Sequence, residues 1–319
     1  MELGRLRGVR RPGPLVGIAL GYLLVISGLM IWRGISVSPD YLLLLMVPVA
    51  LLSGRVLRFL ADWVPFIALF LAYEAMRGLA TKTGFAPHVG DLASAEEWLF
   101  GGHLPTAVLQ SSLHHSAAGG ALDYFATVVY FCHFVIPLTV GLVLWLVSRT
   151  AYLRYVTALL GMACVAFVVF LLLPSAPPWY AADHGAVSGV TKIISSTLPS
   201  AVSPYYQTLN SNPVAAMPSL HMAFPVLSLL ALVSVWPRRG WLFAIWCVAV
   251  MFSIVYLGEH YVVDALAGIV LAVLSWAVLM RVVVPRVAAL QGEVVPVGAS
   301  APAPVGGEVP VGAEAGPRA

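Results

Sequence analysis

Long apolar runs separated by short polar stretches dominate the chain, at 15–32, 41–53, 63–80, 124–147, 155–173, 221–236, 241–257 and 262–284. Most approach the roughly 20 residues a helix needs to cross a hydrocarbon core, and closed barrels show no runs of this length. The pattern predicts an all-α integral membrane protein, a polytopic bundle of about eight transmembrane helices. A basic N-terminal stretch, 1–14, precedes a membrane domain over 15–284. After it, 285–319 turn to Gly, Pro, Val and Ala, which cannot bury a core and predict a disordered tail.

Composition strengthens this picture. Sixty per cent of the residues are hydrophobic and 10% charged, with a mean hydropathy of +0.92. Soluble domains run near ~45–50% and ~25%, so a soluble fold is excluded. Cys132, Cys164 and Cys247 lie within apolar runs without CxxC spacing, which excludes a disulfide framework and reads as small buried hydrophobes. The net charge of +3 is scattered, so no nucleic-acid partner is expected.

The placement of the charges sets an orientation. With a cytoplasmic N-terminus, thirteen basic residues fall inside and four (Arg33, Arg77, Lys82 and Lys192) outside, the asymmetry of the positive-inside rule. Eight spans put both termini in the cytoplasm, and the first run, lacking a cleavage pattern after Trp32 and Arg33, counts as a span rather than a signal peptide. Two long outer loops result. The first, 81–123, carries Trp98, Leu99, Phe100, Leu104, Val108, Leu109 and Leu113 in a broken amphipathic, interfacial pattern. The second, 174–218, is rich in Pro, Ser and aromatics, and loops this long usually have a function.

Candidate chemistry gathers on that outer face. His221 opens the sixth run, while His260 and Asp264, four apart, open the eighth and share one helix face, where the carboxylate can orient the imidazole. Histidine titrates near pH ~6.5, so one ring can be a neutral nucleophile and another a protonated acid. This suits phosphoester chemistry: His260 attacks phosphorus, and His221 protonates the leaving oxygen. Ser219, at a helix start with free amides, could hold phosphate oxygens.

The runs PSLH (218–221) and HYVVD (260–264) resemble two signature motifs of the type 2 phosphatidic acid phosphatase superfamily. The resemblance implies a six-helix catalytic core with His221, His260 and Asp264 as its catalytic residues. PSAPPWY (174–180), NPVAAMPSLH and YLGEHYVVD are most similar to the inositol phosphorylceramide synthase branch, whose members transfer a phosphoryl-headgroup. That similarity implies a phospholipid donor and a lipid alcohol acceptor among membrane lipids, with water as acceptor in the hydrolytic alternative.

Departures from the phosphatase pattern sharpen the expectation. Ala166, Leu173 and Ile254 occupy the positions of its three phosphate-gripping cations. A phosphomonoester carries nearly two charges and a diester one, so their loss favours a diester donor. Arg77, three after Glu74, is a phosphate ligand or half of a self-satisfied pair; Lys192, His184 and Lys82 are further cations. His133 lines the pocket or is a satisfied core residue, and Trp179 and Tyr180 stack on a headgroup or join the interfacial aromatic belt. The spacing of His88, His103, His114 and His115 matches no ligand set, so no metal and no other cofactor is expected. A lipid phosphatase is the near alternative; a non-enzymatic lipid transporter would instead use Glu74, Arg77 and His133 as its pathway.

Overall fold

The computed structural model describes residues 13–32, 39–77, 85–115, 119–198 and 213–290. Most of the basic N-terminus, Arg33, Lys82, the middle of the second loop and the residues after 290 lie outside the described residues, as do the side chains of Glu74 and Arg77.

Each of the eight apolar runs is helical over its described residues. The long elements are α1 (Pro14–Trp32), α2 (Pro39–Leu52), α3 (Val56–Arg77), α6 (Ala121–Val147) and α7 (Arg149–Leu172). The C-terminal half adds α10 (Leu220–Val235), a 3₁₀ turn at Gly240–Phe243 leading into α11 (Ala244–Tyr256), and α12 (Val262–Val278). Short helices α4 (Asp91–Leu99), α5 (Pro105–Leu113), α8 (Pro178–Asp183) and α9 (Ile194–Thr197) lie in the two loops. A π-helical turn, Leu279–Val283, continues α12 into α13 (Val284–Leu290), so the disordered tail expected from 285 is still helical through its first residues. The described residues contain no β-strand beyond isolated bridges.

Among the described residues, three helical stretches meet the length and composition of a membrane span by themselves: Val56–Tyr73, Arg149–Leu172 and Val262–Val287. A fourth is α6, whose halves Ala121–His133 and Val135–Val147 meet at 50°. Pro137 lies just past that bend; it lacks the N–H that would bond the His133 carbonyl, a common cause of such kinks. Leu57, Leu69, Val168, Ile245, Val248 and Leu274 are all exposed on the helical surface. A bundle with an apolar outside needs lipid as its solvent, so the protein is an all-α membrane protein. Of the cysteines, only Cys247 is buried; Cys132 is half-buried and Cys164 exposed, in contrast to the expected buried trio.

The core is formed where α6, α7, α10, α11 and α12 meet. A Cβ on Gly268 of α12 would lie 2.3 Å from the Ser219 carbonyl oxygen, so only glycine lets α12 cross the start of α10 this closely. At the end of the bundle away from that crossing, Asp62 of α3 accepts from Arg149 Nη2 (2.6 Å) and Trp145 Nε1 (2.9 Å), tying α3 to the α6–α7 corner. Ser148 forms the corner with extended backbone, ending α6 and capping α7 through Ala151 N–H.

The described parts of the two long loops pack at the other end. His88, Ser175 and Ala215 run side by side: Ser175 N–H donates to Val214 O (2.8 Å), Ala216 N–H to Ser175 O (3.0 Å), and His88 N–H to Pro174 O (2.9 Å). Met217 N–H donates to Ser175 Oγ (3.0 Å), and the Met217–Pro218 bond is cis. Buried Gln110 of α5 fastens the second loop. Its Nε2 donates to Thr191 O (3.0 Å) and Tyr256 O (2.9 Å), and its Oε1 accepts from Thr191 N–H (2.8 Å). Of the seven apolar residues expected at an interface, Trp98, Leu99, Phe100, Val108 and Leu113 are exposed, Trp98 by 82%, whereas Leu104 is buried and Leu109 packs against the core.

Candidate active site

His221 stands on the first turn of α10, and His260 precedes α12 by two residues. The tight turn after α11 brings them together: Gly258 adopts φ +77°, and His260 N–H bonds back to Ile254 O (3.1 Å). Any Cβ at Gly258 would also press on Thr191 O at 3.1 Å. Trp179 N–H donates to Gly258 O (3.0 Å), so the PSAPPWY segment packs on the same turn.

The three expected catalytic side chains form one line. His221 Nδ1 is 3.0 Å from His260 Nε2, and His260 Nδ1 is 3.4 Å from Asp264 Oδ2. Asp264 is fully buried, and the same Oδ2 accepts Tyr261 N–H (2.9 Å), which fixes the carboxylate at the start of α12. With Asp264 ionised, its carboxylate can only accept: the Nδ1 proton of His260 then points to Asp264, Nε2 keeps its lone pair, and His221 Nδ1–H donates to it.

His221 is held by rings on two sides. Tyr130 of α6 stacks on it at 4.4 Å and 20°, and His133, one turn later, meets it edge-on at 4.0 Å. His133 thus joins the site and lines the same cavity as Tyr130, Trp179, Glu259, His221 and His260. Trp179 carries the Lys192 ammonium 3.5 Å from its ring centroid. Burial pushes the Lys192 pKa down, against the opposing pull of the Glu259 and Asp183 charges.

Other expected residues fall differently. The Ser219 N–H is spent on Asp264 O (3.0 Å) and the residue is fully buried, so it offers neither a free amide nor an accessible hydroxyl for phosphate. Tyr180 does not line the cavity; its ring stacks on His184 at 4.0 Å. Arg77 ends α3, with its side chain outside the described residues. Ala166 and Ile254, at two of the three positions where a phosphatase carries a cation, are packed in the apolar core. His114 bonds Asp123 at 3.2 Å.

Sequence reasoning passed over Glu259, Tyr130, Glu96 and Gln110. Glu259 was legible as the residue before His260. Glu96 was not, because it and Glu97 look alike on a polar helix, yet Glu96 is 0% exposed and accepts Val263 N–H at 3.1 Å. Burial, with the nearby Asp264 charge, raises its carboxyl from an ordinary 4.5 to about 7.

A paired-histidine site with a buried aspartate, at one end of a lipid-embedded helical bundle, defines a membrane enzyme that handles phosphoryl groups. Residues 90–278 match the family described as the PAP2 superfamily, and the chain belongs to it. Curated relatives agree with that membership. A phosphoinositol dihydroceramide synthase from Bacteroides thetaiotaomicron is 29% identical over 231 residues, 67% of this chain and 74% of the relative. The catalytic subunit of inositol phosphorylceramide synthase from Schizosaccharomyces pombe is 26% identical over 209 residues, 61% of this chain and 47% of its own length. An inositol phosphorylceramide synthase from Candida albicans is 25% identical over 195 residues, 57% and 40% respectively. The matches thus span about three quarters of the bacterial relative and less than half of either fungal one. No solved structure matches the chain significantly. The chain is an enzyme of the lipid phosphotransferase and phosphatase kind.

Proposed function

We propose that the protein transfers a phosphoryl-headgroup, phosphoinositol by analogy with the relatives' names, from a phospholipid to a lipid alcohol through a phosphohistidine at His260. The observation that carries this reading is the His221–His260–Asp264 line beside a cavity. His260 Nε2 attacks phosphorus and the bond to the diacylglycerol oxygen breaks, with His221 supplying its proton. The acceptor hydroxyl then gives its proton to His221 and attacks phosphorus, and the P–N bond breaks.

A diester donor suits the cavity. Its described lining has two imidazoles at the reacting position, His133 behind them and the Glu259 carboxylate, with Lys192 on the Trp179 ring as the nearby cation. One ammonium beside a carboxylate gives a dianionic monoester less countercharge than the three cations of the phosphatase pattern, whereas a singly charged diester needs less. This favours transfer over monoester hydrolysis. We assign the catalytic domain to 15–284, with eight crossings, both termini cytoplasmic and the site on the opposite face.

The test is purified protein with labelled phosphatidylinositol, a panel of lipid alcohols and a His260→Ala control, scoring released headgroup phosphate against new phospholipid. Transfer product that disappears in the variant supports the proposal; release of inositol phosphate alone makes the protein a phospholipid phosphodiesterase, with water as the acceptor.

A further inference from the structure

The first turn of α12 must place Asp264 on His260, and two carboxylates serve it. Asp264 Oδ2 takes the Tyr261 N–H at 2.9 Å. Glu96, 167 positions before Val263 in the chain, reaches across from α4: its Oε2 takes the Val263 N–H at 3.1 Å. The first amides of a helix have no intrahelical partners, and a buried one left unmet seeks the nearest acceptor. On this turn that acceptor is Asp264, whose Oδ2 already divides itself between the Tyr261 amide and His260 Nδ1, the latter at a long 3.4 Å. Glu96 therefore removes a competitor for the catalytic carboxylate.

Burial makes this contact more than a surface cap. Glu96 is fully enclosed between α4 and the start of α12, with Ala93, Leu104, Tyr261 and Val263 packed together beside it. Its neighbour Glu97 is exposed. Glu96 Oε1, the Tyr261 hydroxyl and Asp264 Oδ1 have no hydrogen-bond partner among the described residues, so a polar cluster lies on this turn. Such a group is retained at a cost in stability, which a purely apolar contact would avoid.

We propose that Glu96 is a positioning residue for the His260–Asp264 pair, and that through it the interfacial helix α4 forms part of the catalytic apparatus. This role rests on His260 being the nucleophile. It gives α4 a task beyond membrane contact: any displacement of that helix withdraws the acceptor from α12 and loosens the orientation of His260.

A double-mutant cycle tests it, with turnover and KM measured for wild type, Glu96→Ala, Asp264→Asn and the double variant, and His260→Ala as control. Expected are a 30- to 100-fold fall in kcat for Glu96→Ala with KM within twofold, substantial rescue by Glu96→Gln, which retains an accepting oxygen, and no further loss when Glu96→Ala is added to Asp264→Asn. Full activity in Glu96→Ala, or losses that multiply in the double variant, would overturn the proposal. If Glu96→Ala does not yield a cooperatively melting protein, Glu96→Asp, one methylene shorter, replaces it in the cycle: a fall in kcat that vanishes in the Asp264→Asn background supports the role, and full activity or multiplying losses overturn it. Activity in His260→Ala would instead strike at the phosphohistidine reading, so the two failures are separable.

Discussion

His221 Nδ1 and His260 Nε2 are in direct hydrogen-bond contact at 3.0 Å, so the proposed acid already rests on the lone pair of the proposed nucleophile. In-line displacement requires phosphorus between them, with the nucleophile about 3–3.5 Å from phosphorus and the acid within hydrogen-bond reach of the leaving oxygen beyond it. The substrate must therefore part the pair. A donor with a nitrophenol leaving group, which departs without a proton, should restore most of the roughly 10²–10⁴-fold activity that His221→Ala removes, and none of that lost in His260→Ala. Release of nitrophenolate measures it; equal rescue of both variants would falsify the assignment of acid and nucleophile.

Gln110 joins α5, the second loop and the end of α11 through one amide group. Gln110→Leu keeps the volume and strands Thr191 N–H together with two carbonyls, each costing about 1–3 kcal/mol if it stays buried. Because Lys192 follows Thr191 and sits on Trp179 in the cavity wall, donor KM should rise about tenfold, with faster amide exchange at 190–194. Unchanged exchange would show that the loop is held elsewhere.

At the opposite end, the Asp62 side chain is 2% exposed and its partner Arg149 54% exposed. Arg149→Ala leaves a buried carboxylate with the Trp145 indole as its remaining charge-stabilising donor. The loss should be about 1–3 kcal/mol, smaller than for a fully buried pair because water already reaches the guanidinium. Thermal melting in detergent should show the drop, while kcat and KM of the surviving protein match wild type.

Glu96 gives stability a pH dependence of definite sign. Its folded carboxyl titrates at about 7 against 4.5 when free, so the folded state holds the proton more tightly. Its contribution is greatest below pH 4.5 and is lost as pH rises from there to about 7, by up to about 3 kcal/mol. Glu96→Gln cannot ionise and should flatten that part of the profile. Chemical denaturation at pH 5 and pH 8 distinguishes the two proteins.

The His221–His260–Asp264 line was legible as a contact because its parts are local: His260 and Asp264 share a helix turn, and His221 opens an apolar run on the same predicted face. The apolar runs likewise located the long helices among the described residues. The partners supplied across the fold were hidden. Glu96 meets Val263 over 167 positions and Gln110 meets Tyr256 over 146, and neither has a local pattern to mark it. Ser219 misled for a related reason: a serine at a helix start usually has a free amide nearby, but here tertiary packing against α12 brings the Asp264 carbonyl to it.

The apolar outer face of α4 and α5 carries a consequence for how substrates are met. If the exposed Trp98, Leu99, Phe100, Val108 and Leu113 enter the leaflet, as proposed for this segment, donor and acceptor arrive by lateral diffusion in a plane. The rate should then follow the mole fraction of donor within the surface. Diluting vesicles into buffer should leave turnover unchanged, whereas diluting the donor with inert lipid at fixed bulk concentration should slow it.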